Sequence, residues 1–388
     1  MERKEKKKRK DYKGRQESRS TPSFPIDLTS EILLRLPEKS VARFRCVSKL
    51  WSSITTDPYF IDLFETRSPR PSLLLCVRKD DNMFVSSIPQ HTQETLHKSS
   101  NKSFSSSQPK SSYHMKFPED DDGFRPTESV HGLICFQESL KPVVWNPSKK
   151  EFLTLPKPRK SWIDITVFLG YDPTEGKHKV MCIPCNRTSD VCRVLTLGSP
   201  QESWRTVKTN QKHRSSFNTT GRCIKGVIYY KAYIYHTRLW VIMSFDVRSE
   251  KFHMIPFPLE ARKNLLLNYE GRLSFVDDTN PRRLLILEDA EKNKWSKHEF
   301  LSHLSRDVIT ERSLHLKGFT NAGELVYVAS LFNNSSYILF CDPARNSFRR
   351  FEFKGISKDE SWLNNEGEGL FMSPLHIFLN HTESQISL

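Results

Sequence analysis

The chain has 388 residues, enough for two folded units, with a formal net charge of +15 and a mean hydropathy of −0.57. All apolar runs are shorter than the roughly 18–20 residues that cross a bilayer, so we expect neither a membrane-spanning helix nor a membrane partner. Because no secretory signal is recognisable, we expect the eight cysteines to be reduced intracellular thiols. Outside the first 20 residues the positive charge is dispersed, and we therefore do not expect nucleic acid as a partner.

Residues 1–23 are polar and strongly charged, a composition that predicts a disordered basic tail. The tail contains a basic run of the kind that acts as a nuclear import signal: Lys6, Lys7, Lys8, Arg9 and Lys10. A solvated flexible tail without a targeting role explains the same composition. We accordingly predict that the protein is found in the nucleus, in the cytoplasm, or in both.

Residues 24–66 carry two apolar stripes with helical spacing. The first stripe predicts a short helix: Leu28, Ile32, Leu33 and Leu36. Pro25 stands before this helix and Pro37 ends it. The second stripe predicts another helix: Phe44, Val47, Trp51 and Ile54. Such a small helical unit has more large apolar groups than it can cover by itself, so we expect a partner protein to cover the rest.

The same segment resembles an F-box, the module through which substrate receptors dock on the Skp1 adaptor of cullin-RING (SCF) ubiquitin ligases. The resemblance rests on Pro25 with residues 27–28 (DL), on 31–33 (EIL) and 35–37 (RLP), and on 43–51 (RFRCVSKLW), which looks like the plant versions. It implies docking on Skp1 through eight side chains: Pro25, Leu28, Ile32, Leu33, Leu36, Val41, Val47 and Trp51. A helical subdomain without an adaptor is the alternative interpretation.

The remainder of the chain, residues 67–388, is predicted to form an all-β domain. Residues 71–88 contain two strand-like runs around 79–82 and predict a hairpin. Residues 91–127 are predicted to be a mobile insert. The acidic stretch 119–123 lacks the ligand spacing of an EF-hand, and it predicts a solvated turn rather than a calcium loop.

A pattern of about fifty residues repeats between residues 129 and 353. Aromatic residues recur at separations of 52, 48, 43 and 53 residues: Phe152, Trp204, Phe252, Trp295 and Phe348. Each lies six positions after a turn residue: Asn146, Gly198, Asp246, Asp289 and Asp342. Ahead of four of these aromatics lies a glycine-led strand, at Gly132, Gly226, Gly271 and Gly323.

Repeats of this length predict a β-propeller-like array, here of five or six blades, because small antiparallel sheets bury their faces against one another. We expect the recurrent aromatic side chains to pack between neighbouring blades. The apolar segment 369–379 is predicted to be a strand that closes the ring. A large β-sandwich is the alternative fold.

The β region also resembles the F-box-associated domain that follows the F-box in a large plant family. The resemblance rests on residues 144–147 (VWNP), 155–156 (LP), 170–173 (GYDP), 179–180 (KV), 245–256 and 377–384 (IFLNHTES).

Motifs for phosphate binding, for a nucleophilic serine and for a zinc protease are absent from the sequence, so we predict a non-catalytic chain without cofactors or metals. Cys182 and Cys185 form a C-x-x-C pair near His178, which zinc binding and redox chemistry would both explain. We favour plain strand thiols, because a redox pair needs a helix N-terminus and this stretch resembles a strand that runs into a loop.

Together the resemblances imply a substrate-recognition subunit of an SCF E3 ubiquitin ligase. The helical domain would bind a Skp1-like adaptor and through it a cullin-RING ligase. The β domain would bind a target protein on loops at one end of the array, through residues that the sequence does not identify. The alternatives are an F-box protein that acts as a non-ligase scaffold or transcriptional cofactor, a sugar- or nucleic-acid-binding β domain, and an enzyme built on a propeller.

Overall fold

The computed structural model describes residues 25–34, 36, 41, 44, 47–57, 59–60, 71–79, 82–90, 111–116, 124–138, 140–199, 203–215, 219–258, 265–277, 279–280, 282–299, 314–329, 337–343, 345, 347–352, 375–384, 386 and 388. The predictions for the tail 1–23 and for the acidic stretch 119–123 lie outside the described residues.

In the described part of the N-terminal domain two short helices are complete: α1 spans Ile26–Leu33 and α2 spans Lys49–Thr56. Pro25 precedes α1, where the missing N–H of proline leaves no helical hydrogen bond unmade. Ser48 caps α2, because its hydroxyl oxygen accepts a hydrogen bond of 3.1 Å from the backbone N–H of Trp51.

The helical domain has its own small core. Its buried side chains are Leu33, Leu34, Val41, Ile54 and Phe60, with Leu36, Phe44 and Trp51 packed against them. This core draws on both helices, on residues between them and on Phe60 after α2. A core of this size is near the lower limit for independent stability.

The rest of the chain is built of β-strands. The described residues contain β1 (Ser72–Lys79), β2 (Asn82–Pro89), β3 (Ser111–Lys116), β4 (Ile134–Glu138), β5 (Lys141–Asn146), β6 (Glu151–Thr154), β7 (Ile165–Asp172), β8 (Lys177–Pro184), β9 (Ser189–Thr196), β10 (Arg205–Arg214), β11 (Arg222–Ile224), β12 (Val227–Ile234), β13 (Leu239–Asp246), β14 (Phe252–Pro256), β15 (Leu267–Tyr269), β16 (Arg272–Val276), β17 (Arg283–Asp289), β18 (Lys294–Glu299), β19 (Leu314–Phe319), β20 (Leu325–Ala329), β21 (Tyr337–Asp342), β22 (Ser347–Glu352) and β23 (Leu375–His381).

Within the described residues these strands form five antiparallel sheets of unequal width. Three sheets have four strands each, in the orders β23-β1-β2-β3, β15-β16-β17-β18 and β19-β20-β21-β22. One sheet has three strands, β4-β5-β6, and one has eight, β7-β8-β9-β10-β12-β13-β14 with β11 beside β12. In the middle of the eight-stranded sheet, β10 and β12 are joined by two residue pairs, His213 with Ile234 and Arg214 with Tyr233.

The sheets are arranged in the manner of a propeller. Successive inner strands contact one another: β4 with β7, β7 with β11, β11 with β15, β15 with β19, and β19 with β23. Buried clusters fill the spaces between neighbouring sheets, such as the cluster that Phe136 and Trp145 share with Phe378. The fold is therefore a small helical domain followed by a propeller-like β domain, rather than two stacked sheets. The five sheets do not correspond one to one with the predicted five or six blades, because one sheet has eight strands, twice the width of the four-stranded sheets.

The last strand completes the first sheet. β23 pairs with β1, and the Ser72 hydroxyl donates a hydrogen bond of 3.2 Å to the carbonyl oxygen of His381. The predicted closing strand at 369–379 is thus confirmed for its described part, which starts at Leu375, whereas 369–374 lie outside the described residues. Pairing of the two ends of the domain holds the ring closed.

Residues beyond β23 fasten to the three-stranded sheet. The Asn146 amide nitrogen donates to the carbonyl oxygens of Ser384 at 3.2 Å and Ile386 at 2.8 Å. The backbone N–H of Ser384 donates to the Ser148 hydroxyl at 3.0 Å. The C-terminal segment therefore links the first sheet to the next one.

Three of the four glycine-led strands begin at turns with two left-handed residues, whereas at the fourth only Gly323 is left-handed, with φ of 83°. Such turns suit β-hairpins because their twist matches that of the flanking strands. The φ values of each pair are 46° and 80° at His131-Gly132, 49° and 77° at Lys225-Gly226, and 52° and 71° at Glu270-Gly271.

The recurrent Asn and Asp residues shape the turn at the end of a strand. Asn146 Oδ1 accepts a hydrogen bond from the backbone N–H of Ser148 at 3.0 Å, and Asp289 Oδ1 accepts one from Glu291 at 3.0 Å. Asp246 and Asp342 accept from backbone N–H groups three residues further on. Side-chain oxygens that bond nearby backbone in this way stabilise tight turns, which explains the fixed spacing.

The recurrent aromatic side chains have two different environments. Four of them are partly buried and pack against buried clusters: Phe152, Trp204, Phe252 and Trp295. For three of them the cluster lies between neighbouring sheets, as predicted, and for Phe252 it lies between the two halves of the eight-stranded sheet. The prediction is wrong for Phe348, which is 58% exposed. The sequence spacing predicts the position of Phe348 in its strand. It does not predict whether a neighbouring sheet covers the side chain.

The hairpin predicted at 71–88 is confirmed, because β1 and β2 pair from Ser72 with Pro89 to Lys79 with Asn82. The boundaries of the predicted insert at 91–127 need correction. Its residues 111–116 form β3, which pairs with β2 at the edge of the first sheet. Alternating side chains such as Tyr113, which packs against the core, explain why this polar stretch is a strand.

An ion pair joins strands that are not neighbours in the ring. Arg222 on β11 donates to Glu128 Oε2 at 2.9 Å, to the Leu266 carbonyl at 2.8 Å and to the Lys317 carbonyl at 3.5 Å. Glu128 precedes β4 and Lys317 lies on β19, so the guanidinium reaches across the space that the inner strands enclose. Burial raises the pKa of Glu128 against the opposing pull of Arg222. Burial, together with the Arg222 charge, lowers the pKa of Lys317.

Candidate functional site

One face of α1 is apolar and exposed. Ile26, Leu28 and Ile32 expose 59%, 53% and 51% of their surface. Thr29 and Leu33, on the opposite face, are buried. Because Leu28 and Ile32 are four residues apart, their side chains form one continuous row. A row of large aliphatic side chains in water is typical of a surface that a protein partner covers.

The start of α2 also carries exposed apolar side chains. Val47 is 62% exposed and Leu50 is 41% exposed. Trp51 is half-buried, and its ring meets the Phe44 ring edge-on with 4.9 Å between the centroids. Trp51 therefore has one side in the domain core and another side available to a partner.

The eight side chains predicted to bind the adaptor fall into three groups. Pro25, Leu28, Ile32 and Val47 are exposed, and Leu36 and Trp51 are half-buried. Leu33 and Val41 are buried at 0% and 4% exposure, so these two belong to the core of the domain and not to its surface. The apolar stripe of α1 covers two faces of the helix, and composition alone does not say which face turns inward.

Sequence reasoning missed two exposed apolar residues beside this surface, Ile26 and Leu50. Both flank predicted positions, and the unusual density of aliphatic residues in so short a domain was the available signal. The basic run 6–10 lies outside the described residues, so its role as an import signal stays a prediction.

The C-x-x-C pair lies in buried β-structure. Cys182 is on β8 and Cys185 follows it, and both are buried. Burial raises the pKa of both thiols, the opposite of what a reactive thiolate requires. His178 Nε2 lies 2.9 Å from the Val130 carbonyl, and burial lowers its pKa to about 3. Among the described residues, no group of three or more potential ligands could hold a metal ion.

Two carboxylates of the β domain, at Glu250 and Asp277, are bound to cations. Glu250 accepts from Lys179 at 2.9 Å and from Arg205, and Asp277 is 2.8 Å from Arg283. Although burial acts to raise it, the hydrogen bonds from Arg205 and Lys179 bring the pKa of Glu250 below its usual value. These groups link strands and turns, and such pairing does not provide the facing carboxylates of a glycosidase.

Neither helix in the described ranges has the length and apolar character that a membrane crossing requires.

Both domains match known families. The F-box domain family matches residues 22–63, and the family described as F-box associated beta propeller domain matches residues 72–382. Domains of these two kinds are typical of non-catalytic adaptor proteins.

Relatives with the same organisation occur in Arabidopsis thaliana. Three putative F-box proteins of this plant are 56%, 55% and 52% identical to the chain. The alignments cover 100%, 99% and 100% of this chain and 100%, 98% and 100% of the relatives. The crystal structure of regucalcin from Agrobacterium tumefaciens is 12% identical, covers 59% of this chain and 74% of its own, and has a TM-score of 0.35, which is too low to carry an argument.

Two short helices with exposed apolar side chains, a closed array of small sheets, and family matches over both regions agree with one another. The chain therefore belongs to the plant F-box proteins that carry an F-box-associated β-propeller domain.

Proposed function

We propose that the protein is the substrate-recognition subunit of an SCF E3 ubiquitin ligase and has no catalytic groups of its own. The helical domain, residues 24–66, binds a Skp1-like adaptor and through it a cullin-RING ligase. The β domain, residues 67–388, binds a target protein. The chain contributes proximity, because holding a target beside the transferring enzyme raises their effective concentration.

The exposed apolar row on α1 carries this proposal. Leu28 and Ile32 expose half of their surface in a domain that matches the F-box family, and Val47 lies beside α2 with a similar exposure. We assign adaptor docking to the six predicted residues that are at least partly accessible: Pro25, Leu28, Ile32, Leu36, Val47 and Trp51. Leu33 and Val41 hold the helices together from inside.

We propose six blades for the β domain. The two halves of the eight-stranded sheet, β7–β10 and β11–β14, are joined by two residue pairs only. Side chains from both halves, Phe168 and Phe245 among them, pack into one buried cluster. Residues of one flat sheet do not face each other, so each half acts as a separate blade. An experimental structure of the β domain with five blades in the ring would contradict this count.

We place the protein in the nucleus, the cytoplasm or both, with the basic run 6–10 as an import signal. Unchanged nuclear enrichment of a chain that lacks residues 1–20 would contradict this role.

The docking proposal is tested by co-purification of the full chain with Skp1 and cullin. We expect Ile32→Asp to reduce Skp1 recovery at least tenfold, because a carboxylate buried in an apolar interface without a partner costs about 2 kcal/mol or more. Ile163→Asp is the matched control, since Ile163 is 74% exposed in the β domain. Leu33→Asp is unsuitable as a docking test because Leu33 lies in the core of the helical domain, where a charge would disrupt folding.

Full Skp1 recovery with both Ile32→Asp and Leu28→Asp would refute the docking assignment. Skp1 and cullin binding without ubiquitin transfer to any bound protein would instead support a non-ligase scaffold.

A further inference from the structure

The hairpin formed by β12 and β13 carries exposed aromatic side chains at its tip. Tyr235 is 70% exposed, Leu239 is 55% exposed and Trp240 is 43% exposed. The pairing of β13 with β14 ends at Val241 and Pro256, so in the described residues the tip extends beyond the outer strand of its sheet. Large apolar groups scattered singly are ordinary, whereas this tip exposes apolar side chains on both faces of the hairpin, Leu239 on one face and Trp240 on the other.

The tip has an ordered core. Tyr233 and Trp240 are cross-strand partners, and their rings meet at 61° with 5.5 Å between the centroids. On the other side Arg214 pairs with Tyr233, and its guanidinium lies 4.9 Å from the centre of that ring. Arg, Tyr and Trp are the side chains that most often dominate binding energy at protein interfaces. We call these residues, with Tyr235, Arg238 and Leu239, the hairpin patch.

The surroundings of the hairpin patch are positively charged. Residues 203–245 contain eight Lys and Arg and no Asp or Glu. Two of these cations are bound to carboxylates from outside this stretch, Arg205 to Glu250 and Arg222 to Glu128. Lys212, Arg214 and Arg238 make no ion pair with any described carboxylate. A negatively charged segment of a partner would complement these three cations.

We propose that the hairpin patch docks a segment of the target protein in which acidic residues flank a large apolar side chain. The apolar side chain packs on Trp240 and Tyr235, while the flanking carboxylates face Arg214 and Arg238. This inference rests on the proposed function, because it specifies which surface of the β domain receives the target.

The ring geometry favours a protein segment over nucleic acid. Single-stranded nucleic acid binds where aromatic rings offer open faces for successive bases to stack on. At the hairpin patch the Tyr233 ring has Arg214 above it and Trp240 edge-on beside it. An aliphatic side chain, Leu239, is the first residue of β13 and pairs with Ile234 beside the turn.

The test measures binding of short fluorescent peptides to the purified full chain by anisotropy. The probe peptide has glutamates on both sides of a central Phe-Leu pair. Two matched peptides replace the Phe-Leu pair by serines or the glutamates by lysines, and a labelled single-stranded oligonucleotide is the fourth probe. We expect only the first peptide to bind, with affinity that falls as salt rises.

We expect Trp240→Ala and, separately, Arg238→Glu to weaken binding of the acidic apolar peptide at least about tenfold. Ile163→Ala and Lys160→Glu make a corresponding truncation and charge reversal at exposed positions elsewhere and should leave binding within about twofold. Arg238→Glu keeps the test decisive if Trp240→Ala fails to fold, because Arg238 lies in the exposed turn.

The inference would be overturned if the three peptides bound equally or if none of them bound. It would also be overturned if both hairpin variants bound the acidic apolar peptide as tightly as the unmodified chain. A third contrary result is an oligonucleotide that binds more tightly than the peptides and loses this binding in Trp240→Ala. Skp1 co-purification of the same variants separates this inference from the proposed function. Normal Skp1 recovery with Trp240→Ala is expected, and failure of Skp1 binding in the unmodified chain would refute the proposed function alone.

Discussion

Ile32 and Leu33 are neighbours in α1 and occupy opposite environments. Successive helical residues point about 100° apart, so Leu33 enters the core at 0% exposure while Ile32 is 51% exposed. The same chemical type therefore serves stability at one position and is available for docking at the next. A substitution that tests docking must be made at Ile32 and not at Leu33.

Ionised groups in the β domain show the same dependence on position. Glu250 lies in the turn after β13 and binds Lys179 on β8 at 2.9 Å. Lys179 is 6% exposed and also donates to the Val247 carbonyl at 2.6 Å. The pair therefore fixes a turn of one strand group to a strand of another.

We expect Glu250→Gln to lower the free energy of unfolding by about 3 kcal/mol at neutral pH, because it leaves the buried Lys179 charge without its counterion. The folded-state pKa of Glu250 is lowered, so its stabilising contribution is complete above the unfolded-state pKa of about 4.3 and is lost as pH falls through the folded value. Urea unfolding at neutral and acid pH measures this.

Glu270→Gln is the control, since Glu270 is exposed and its ion pair with Arg272 is worth at most about 1 kcal/mol. A difference between the wild type and Glu250→Gln that persisted unchanged into acid would contradict the assignment.

At the scale of elements, the turns determine how each strand group is built. A left-handed pair such as Lys225-Gly226 opens a hairpin, and an Asp or Asn such as Asp246 closes the turn before the last strand. Both devices are local, so they recur wherever the chain repeats the unit. The surroundings of each turn are not local and differ from unit to unit.

A comparison of Gly132 with Gly323 distinguishes the effect of the local turn conformation from the effect of the surroundings of the turn. Their φ values are 80° and 83°, so alanine is strained by about 1–2 kcal/mol at either position. At Gly132 the added Cβ would also lie 2.5 Å from the Ser384 side chain and 2.7 Å from the Thr382 carbonyl, whereas at Gly323 nothing lies within 4 Å. We expect Gly132→Ala to destabilise the protein by at least about 2 kcal/mol more than Gly323→Ala in urea unfolding.

Equal losses for the two glycine variants would show that the C-terminal segment does not press on the turn at Gly132. Deletion of residues 382–388 in the Gly132→Ala background should remove the excess loss, since the clashing atoms belong to that segment.

At the scale of the whole molecule, closure of the ring holds the β domain together. β23 joins the last part of the chain to β1, and Asn146 fastens the residues beyond it to the next sheet. Arg222 and Glu128 add a link across the space between the inner strands. Blades buried on both sides depend on these contacts, because a single small sheet cannot cover its own faces.

Phe378→Ala tests the closure. Phe378 is 4% exposed on β23 and packs with Trp145 of the neighbouring sheet at 6.3 Å between ring centroids. We expect a loss of about 3–5 kcal/mol in unfolding free energy, measured by urea denaturation. Phe348→Ala, at a side chain that is 58% exposed on the outer strand β22, should change the stability by no more than about 0.5 kcal/mol. Similar losses for both variants would contradict a closing role for β23.

The local features of the protein were determined by sequence alone. The β1–β2 hairpin, the turn residues and the closing strand all follow from side chains that act on backbone within a few residues, and the F-box and F-box-associated resemblances follow from local motifs. The end of α1 does not, because the apolar stripe predicts a helix that includes Leu36 and stops at Pro37, whereas α1 ends at Leu33. Spacing also placed three aromatics correctly between neighbouring sheets.

Only the tertiary structure decided which apolar face of α1 turns inward, that Phe348 has no cover, and that Arg222 meets Glu128 across 94 positions of sequence. The exposure of the β12–β13 hairpin tip was also decided only by the tertiary structure, because the apolar residues at the tip continue the apolar sequence of a buried strand. The physical reason is that burial is a property of the neighbours that folding brings to a residue, and those neighbours come from distant parts of the chain.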